Sequence, residues 1–137
     1  MSVRSTILYR GEKSCEVHHE PSASKFLTDA PKDNNGLGRW FSPTDLVGAS
    51  MGSCMMTIMA MAAEKLGVDL TGSKVTVDKE MLTHPRRIGK LTVTFNLPNI
   101  DPSHRSILEH AAHTCPVKHS LHPEVEVPVT FIWNSLT

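Results

Sequence analysis

The sequence predicts a single α+β domain over residues 1–137, and three observations carry that reading. Two segments alternate polar and apolar residues around a short turn, one long segment is apolar or small on every face, and a shorter helical pattern opens on an Asp-Pro pair. The length is usual for one domain and is enough to bury a real core.

Residues 5–20, STILYRGEKSCEVHHE, read as two extended runs around a turn at Gly11, with Cys15 in the second. Residues 30–38, APKDNNGLG, are dense in turn formers and read as a loop. A helix should begin at Ser42. Serine is a good N-cap, Pro43 suits the first helical position, and Asp45 stands where a capping box places its acid. No further charge appears until Glu64 and Lys65, and Gly67 suits the C-terminal cap. A helix with no polar face must be covered all round. A monomer of this size with few other helices does that poorly, so a partner subunit is expected.

Residues 73–82, SKVTVDKEML, and 87–98, RIGKLTVTFNLP, alternate as strands do, and THPR between them completes an antiparallel hairpin. A second helix follows in 100–115, IDPSHRSILEHAAHTC. Asp101 is its cap, Pro102 its first residue, and Ile107, Leu108, Ala111 and Ala112 its inner stripe. Pro116 ends that helix and starts a short one, PVKHSL. The last strand, EVEVPVTFIWN, carries Pro128 inside it, which suggests an edge or a bulge.

Fourteen basic residues balance fourteen acidic ones, and aromatics make up 5% of the chain. Neither a global field nor a stacking surface points to nucleic acid or an anionic membrane as partner. The opening MSVRSTILYR lacks the apolar core of a signal peptide. The apolar stretch 51–63 is broken by Gly52, Ser53, Cys54 and Thr57, and reads as a core helix instead of a membrane span. Three cysteines without a secretory signal fit a reducing compartment, so a cytoplasmic location is expected.

Two of the cysteines stand out. Cys54 has small neighbours, Gly52 and Ser53, that let a ligand or backbone approach its sulfur, although free cysteine also packs readily into cores. Cys115, in TCPVKH, sits at the N-cap of a proline-initiated helix, where unpaired N–H groups and the dipole favour thiolate. The plain alternative is a thiol that only caps or packs. Cys15, in a strand-like run with polar neighbours, reads as incidental.

Histidines 110, 113, 119 and 122 surround Cys115 in sequence, yet no paired ligand motif accompanies them, and no metal is expected. A hydrolase would need a base for a cysteine nucleophile; His113, His119 and His122 could supply one, and no local motif selects any of them. Phosphate-loop and dinucleotide signatures are absent, and no cofactor is expected.

SPTDLVGASMGSC, the long helix it opens, and CPVKHSL about sixty residues later resemble the OsmC/Ohr family of osmotically inducible and organic-hydroperoxide-resistance proteins. The likeness spans nearly the whole chain, including THPRRIGKLTVTF and the last strand, and the HPRR and CPV forms look more like the OsmC-like branch. It implies an intertwined homodimer, with antiparallel sheets wrapping two long central helices and active sites at the subunit interface. It also implies a cofactor-free thiol peroxidase acting on hydroperoxides. Cys54 would match the reactive cysteine that becomes a sulfenic acid, and Cys115 the resolving cysteine that closes a disulfide. An external dithiol would restore both thiols.

One departure stands in the motif. Where the family's peroxidases carry N-P-E-[EQ]-L, with a glutamate pairing an activating arginine, this chain reads S-P-T-D-L and Thr44 takes the glutamate's place. Asp45 cannot substitute within the same helix. It lies nine residues from Cys54, about 900° of turn and about 13.5 Å of rise away, on the opposite face. Arg39 resembles the family's arginine, with Arg10, Arg86 and Arg87 as rivals. The alternative to a peroxidase is a dimer that senses redox state or holds an apolar ligand, for which the run Met51, Met55, Met56, Met59 and Met61 offers adaptable surface.

Overall fold

The computed structural model describes residues 1–136 and shows an α+β chain with two three-stranded sheets and three helices among those residues. The chain divides into two compact units, residues 1–47 and residues 48 onward.

In the first unit, β1 (Ser5–Gly11), β2 (Ser14–His19) and β3 (Ser24–Asp29) form an antiparallel meander in that order. The predicted turn at Gly11 is a two-residue loop, with Glu12 at φ 53° and Lys13 at φ 61°. Two successive positive φ values match the twist of the flanking strands in a hairpin. β3 was not anticipated, because SKFLTD lacks apolar alternation. Its innermost residues are polar, Thr28 and Asp29, while Phe26 is exposed.

The long helix α1 (Pro43–Lys65) starts where its sequence predicts. Asp45 N–H donates to Ser42 Oγ at 3.1 Å and Ser42 N–H donates to Asp45 Oδ2 at 2.9 Å, a reciprocal capping box. At the far end Val68 N–H reaches Ala63 C=O at 2.9 Å and Gly67 N–H reaches Glu64 C=O at 3.1 Å. With Gly67 at φ 69° this is a Schellman stop.

Within the second unit, α1 buries one stripe: Gly48, Met51, Gly52, Met55, Met59 and Ala63. The spacing of three and four keeps them on one face. That face meets the sheet of β4 (Lys74–Leu82), β5 (Arg87–Asn96) and β6 (Val129–Ile132). By length and composition alone α1 could also cross a membrane, with a mean hydropathy of 1.6 over its most apolar window. Its stripe, however, belongs to the same core as Leu91, Val93 and Phe95, alternate residues of β5 with no exposed surface. Each such side chain contributes about 1.5–3 kcal/mol relative to leaving it in water. The opposite face of α1, with Ser50, Ser53, Thr57, Ala60 and Met61, is exposed in the single chain.

β4 and β5 form the predicted antiparallel hairpin. β6 differs from expectation twice. It pairs parallel to β5, so this sheet is mixed, and Pro128 precedes the strand instead of lying inside it. Pro128 offers its C=O to Val93 N–H at 2.9 Å, which costs it nothing because a proline lacks only the donor. β6 is an edge strand, as a nearby proline suggests.

Asp101 caps as predicted, accepting Ser103 N–H at 3.0 Å, but the chain makes a 3-10 turn over Pro102–His104 before α2 (Arg105–Ala112). Leu108 and Ala112 are fully buried, whereas Ile107, expected in the inner stripe, is 55% exposed. Leu108 and Ala112 are one helical turn apart, and Ile107 stands about 100° around the helix from Leu108. The last helix, α3 (Pro116–His119), stops two residues short of the predicted PVKHSL segment.

Candidate functional site

Cys54 lies on α1 three residues after Met51 of the buried stripe and is itself half-buried. Cys115 stands between α2 and α3 with no exposed surface. Its backbone angles, φ −57° and ψ 124°, are the extended kind. The following Pro116 enforces this, since its ring excludes helical geometry in the residue before it. That conformation turns the side chain back onto α3, and Cys115 Sγ accepts Lys118 N–H at 3.4 Å. The S–H lies 4.0 Å from Met51 C=O on α1, a weak contact suited to a thiol donor.

These placements bring the two thiols together. The Cys54 thiol lies close enough to Cys115 to raise its proton affinity, so two sulfurs sixty-one positions apart in the sequence are neighbours in the fold. Both belong to the same compact unit. All three cysteines are free thiols.

The electrostatics overturn one expectation. The N-cap setting was predicted to favour a Cys115 thiolate. Instead burial, the largest influence, pushes this thiol above the ordinary value of 9.0, and the Cys54 thiol pushes the same way. The N–H groups of Lys118 and Val117 pull downward, as the helix-terminus argument requires, but lose to desolvation. Cys115 is therefore a protonated thiol at neutral pH.

Lys118 is held at a second point. Its Nζ lies 3.0 Å from His113 Nδ1 at the end of α2. His113 packs edge-on against Phe131 of β6, with ring centroids 5.9 Å apart. Lys118 supplies one of the backbone N–H groups expected at the sulfur of this N-cap. The N-cap pattern C-P-x-K was the signal for that contact; nothing local announced the Met51 carbonyl.

Arg39 belongs to the first unit and is not a freely solvated loop residue. Its Nε donates to Asp29 Oδ2 at 2.8 Å, its Nη2 to Asp29 Oδ1 at 3.1 Å, and its backbone N–H to Oδ2 at 2.9 Å. Nη1 lies 3.6 Å from Glu12, and the guanidinium sits 4.5 Å from the ring centre of Trp40. The Arg39 bond, chiefly, holds the Asp29 carboxyl at about 2. Among the rivals, Arg87 donates Nη1 to Thr83 C=O and Pro85 C=O of its own turn. Thr44, at the motif's altered position, has its hydroxyl 3.3 Å from Ser42 Oγ. Cys15 lies on β2 opposite Thr28. Among the described residues no group of three or more His, Cys, Asp or Glu side chains gathers to hold a metal ion.

An apolar scaffold that sets a helix-borne cysteine beside a buried helix-capping one defines a class of α+β dithiol proteins. The sequence profile of the OsmC-like protein family matches residues 36–130, and the chain belongs to that family. Among solved structures, a provisionally described osmotic stress induced and detoxification response protein from Psychrobacter arcticus is 34% identical, with 96% of each chain covered and a TM-score of 0.91. An organic hydroperoxide resistance protein from Elizabethkingia anophelis is 17% identical over 98% of this chain and 97% of its own, with a TM-score of 0.78. An OsmC-like protein of unknown function from Vibrio cholerae is 14% identical over 96% and 99%, with a TM-score of 0.80. The last two likenesses speak to the fold alone. A search among curated proteins finds no match.

Proposed function

We propose that this chain, acting as one OsmC-like domain in a cytoplasmic homodimer, is a thiol peroxidase that reduces organic hydroperoxides with no cofactor. The observation that carries the reading is the adjacency of the Cys54 and Cys115 thiols. The Cys54 thiolate attacks the peroxide O–O bond; its sulfur takes one oxygen, and the other leaves as an alcohol after gaining a proton. Cys115 then attacks the sulfenic sulfur, the S–O bond breaks, and the thiol proton leaves with the hydroxyl as water. An external dithiol reduces the resulting disulfide. The exposed apolar and small face of α1 supports the dimer, since a partner covering it would remove that surface from water. Arg39 is assigned to steady the thiolate on the family likeness, not on its position.

A specific observation favours a second reading. Arg39 is gripped by Asp29 and neighboured by Glu12, and Thr44 replaces the motif glutamate. A less activated pair would act as a redox sensor, oxidised once and slowly. Steady-state assays with tert-butyl hydroperoxide and a dithiol separate the two: many turnovers support the peroxidase, and a single stoichiometric oxidation supports the sensor. Cys54→Ser should abolish peroxide consumption, and Cys115→Ser should allow one oxidation without turnover. Undiminished consumption by the Cys54→Ser protein would remove the assignment.

A further inference from the structure

Resolution places a demand on Cys115 that its own surroundings do not meet. The thiol is fully buried, and among the described residues the groups favouring its negative charge are the N–H groups at the start of α3. That helix is one turn long and makes few bonds of its own. Something outside it must keep Lys118 N–H aimed at the sulfur.

The structure supplies such a support. Lys118 Nζ reaches across to His113 Nδ1 at 3.0 Å, so the residue that donates its backbone N–H to Cys115 is also tied by its side chain to the end of α2. His113 is in turn seated against Phe131 of β6. We propose that His113 is a positioning residue for the resolving cysteine: its neutral imidazole accepts the Lys118 ammonium and braces α3, so that Lys118 N–H stabilises Cys115 as it turns into the attacking thiolate. This rests on the peroxidase reading of the same pair and adds a condition to it.

The brace holds only while His113 is neutral, because an imidazolium has no acceptor for the ammonium and repels it. The charged and titratable groups facing His113 are Lys118 on α3 and His110 and Glu109 on α2, while β6 presents the uncharged Phe131. Burial first, then Lys118, then His110 hold His113 below the ordinary 6.5, and Glu109 opposes them. The brace is thus intact at neutral pH and opens as the solution is acidified below that value.

The sulfur chemistry is unchanged by this: Cys115 attacks the Cys54 sulfenic sulfur, one S–S bond forms, one S–O bond breaks, and water leaves. The brace alters only how readily the attacking sulfur gives up its proton.

Two variants test the idea. His113→Asn places an amide oxygen where Nδ1 stood and cannot be protonated in this range; His113→Leu removes the acceptor. In single-turnover experiments with tert-butyl hydroperoxide, sulfenic acid at Cys54, trapped with dimedone, is followed separately from disulfide formation. Sulfenic acid should form at the wild-type rate in both variants. Disulfide formation should slow about tenfold in His113→Leu and stay near wild type in His113→Asn. The extra fall in wild-type resolution below pH 6.5 should disappear in His113→Asn. Imidazole NMR on the reduced protein should show His113 titrating higher in Lys118→Met than in wild type. Absence of sulfenic acid in the wild-type protein would overturn the peroxidase reading itself. Normal sulfenic acid, with resolution rates and acid limb the same in all three proteins, would overturn the brace alone.

Discussion

Arg39 grips the carboxylate of Asp29 in a two-pronged pair, Nε on Oδ2 at 2.8 Å and Nη2 on Oδ1 at 3.1 Å, with its backbone N–H adding a third bond. The carboxyl is buried and drops from 3.8 to about 2, chiefly through Arg39. A depressed folded value means the folded state binds fewer protons than the unfolded one across that interval. Stability from the pair is therefore complete above about pH 4 and lost as pH falls toward 2. Asp29→Asn should lower the melting temperature at neutral pH, and the gap to wild type should close on acidification over that window. A gap that stays constant from pH 7 to pH 2 would refute the ionised pair as its source. Arg39→Lys tests the geometry: lysine keeps the charge but not the planar fork, so it should lose much of the same stability.

The parts of this fold that could be read in advance are those written locally. Ser42, Pro43 and Asp45 announce a helix start because the capping bonds join residues three apart. The β4–β5 hairpin declares itself through alternation that matches the pleat. β3 was missed because its buried end is Thr28 and Asp29, and a carboxylate goes inside only when a partner ten residues away meets it. The parallel pairing of β6 was equally hidden, since Val129 finds Val93 across thirty-five intervening positions. At the site, the N-cap role of Cys115 was legible from Pro116, and the direction of its proton affinity was not. A helix terminus is a local feature, whereas the desolvation that outweighs it comes from the whole core. The pairing of Cys115 with Cys54 came from family likeness, because no spacing rule links residues on separate elements.

The close approach of α1 to its sheet makes two glycines unequal. A Cβ on Gly52 would sit 2.8 Å from Val77 Cγ2, inside any real contact distance, while one on Gly48 would meet Leu91 and Val77 at 3.4 Å. Gly52→Ala should therefore force the helix or Val77 to shift and destabilise by about 1–3 kcal/mol. Gly48→Ala has room, and the gain in helix propensity, up to about 1 kcal/mol, should leave it neutral or stabilising. Urea denaturation of the two variants checks this. Equal losses at both positions would mean that α1 does not pack on Val77 as described. The gap between them also bears on the chemistry, because Gly52 lies two residues before Cys54 and a displaced helix would carry that sulfur away from Cys115.

Burial separates the thiols in their reactivity toward a simple alkylating agent. Cys54 and Cys15 are half-buried, whereas Cys115 has no exposed surface and its raised proton affinity keeps it a thiol. Only the thiolate reacts, so Cys115 is protected twice, by access and by protonation. In the reduced native protein at pH 8, iodoacetamide should label Cys54 and Cys15 while leaving Cys115 unmodified until denaturant is added. Peptide mapping by mass spectrometry reads the order directly. Mild oxidation before labelling should then protect Cys54 as well, leaving Cys15 as the reactive site. If Cys115 instead reacts in the native protein as fast as Cys15, the sulfur is not enclosed. Burial and desolvation would then not be what keeps Cys115 protonated.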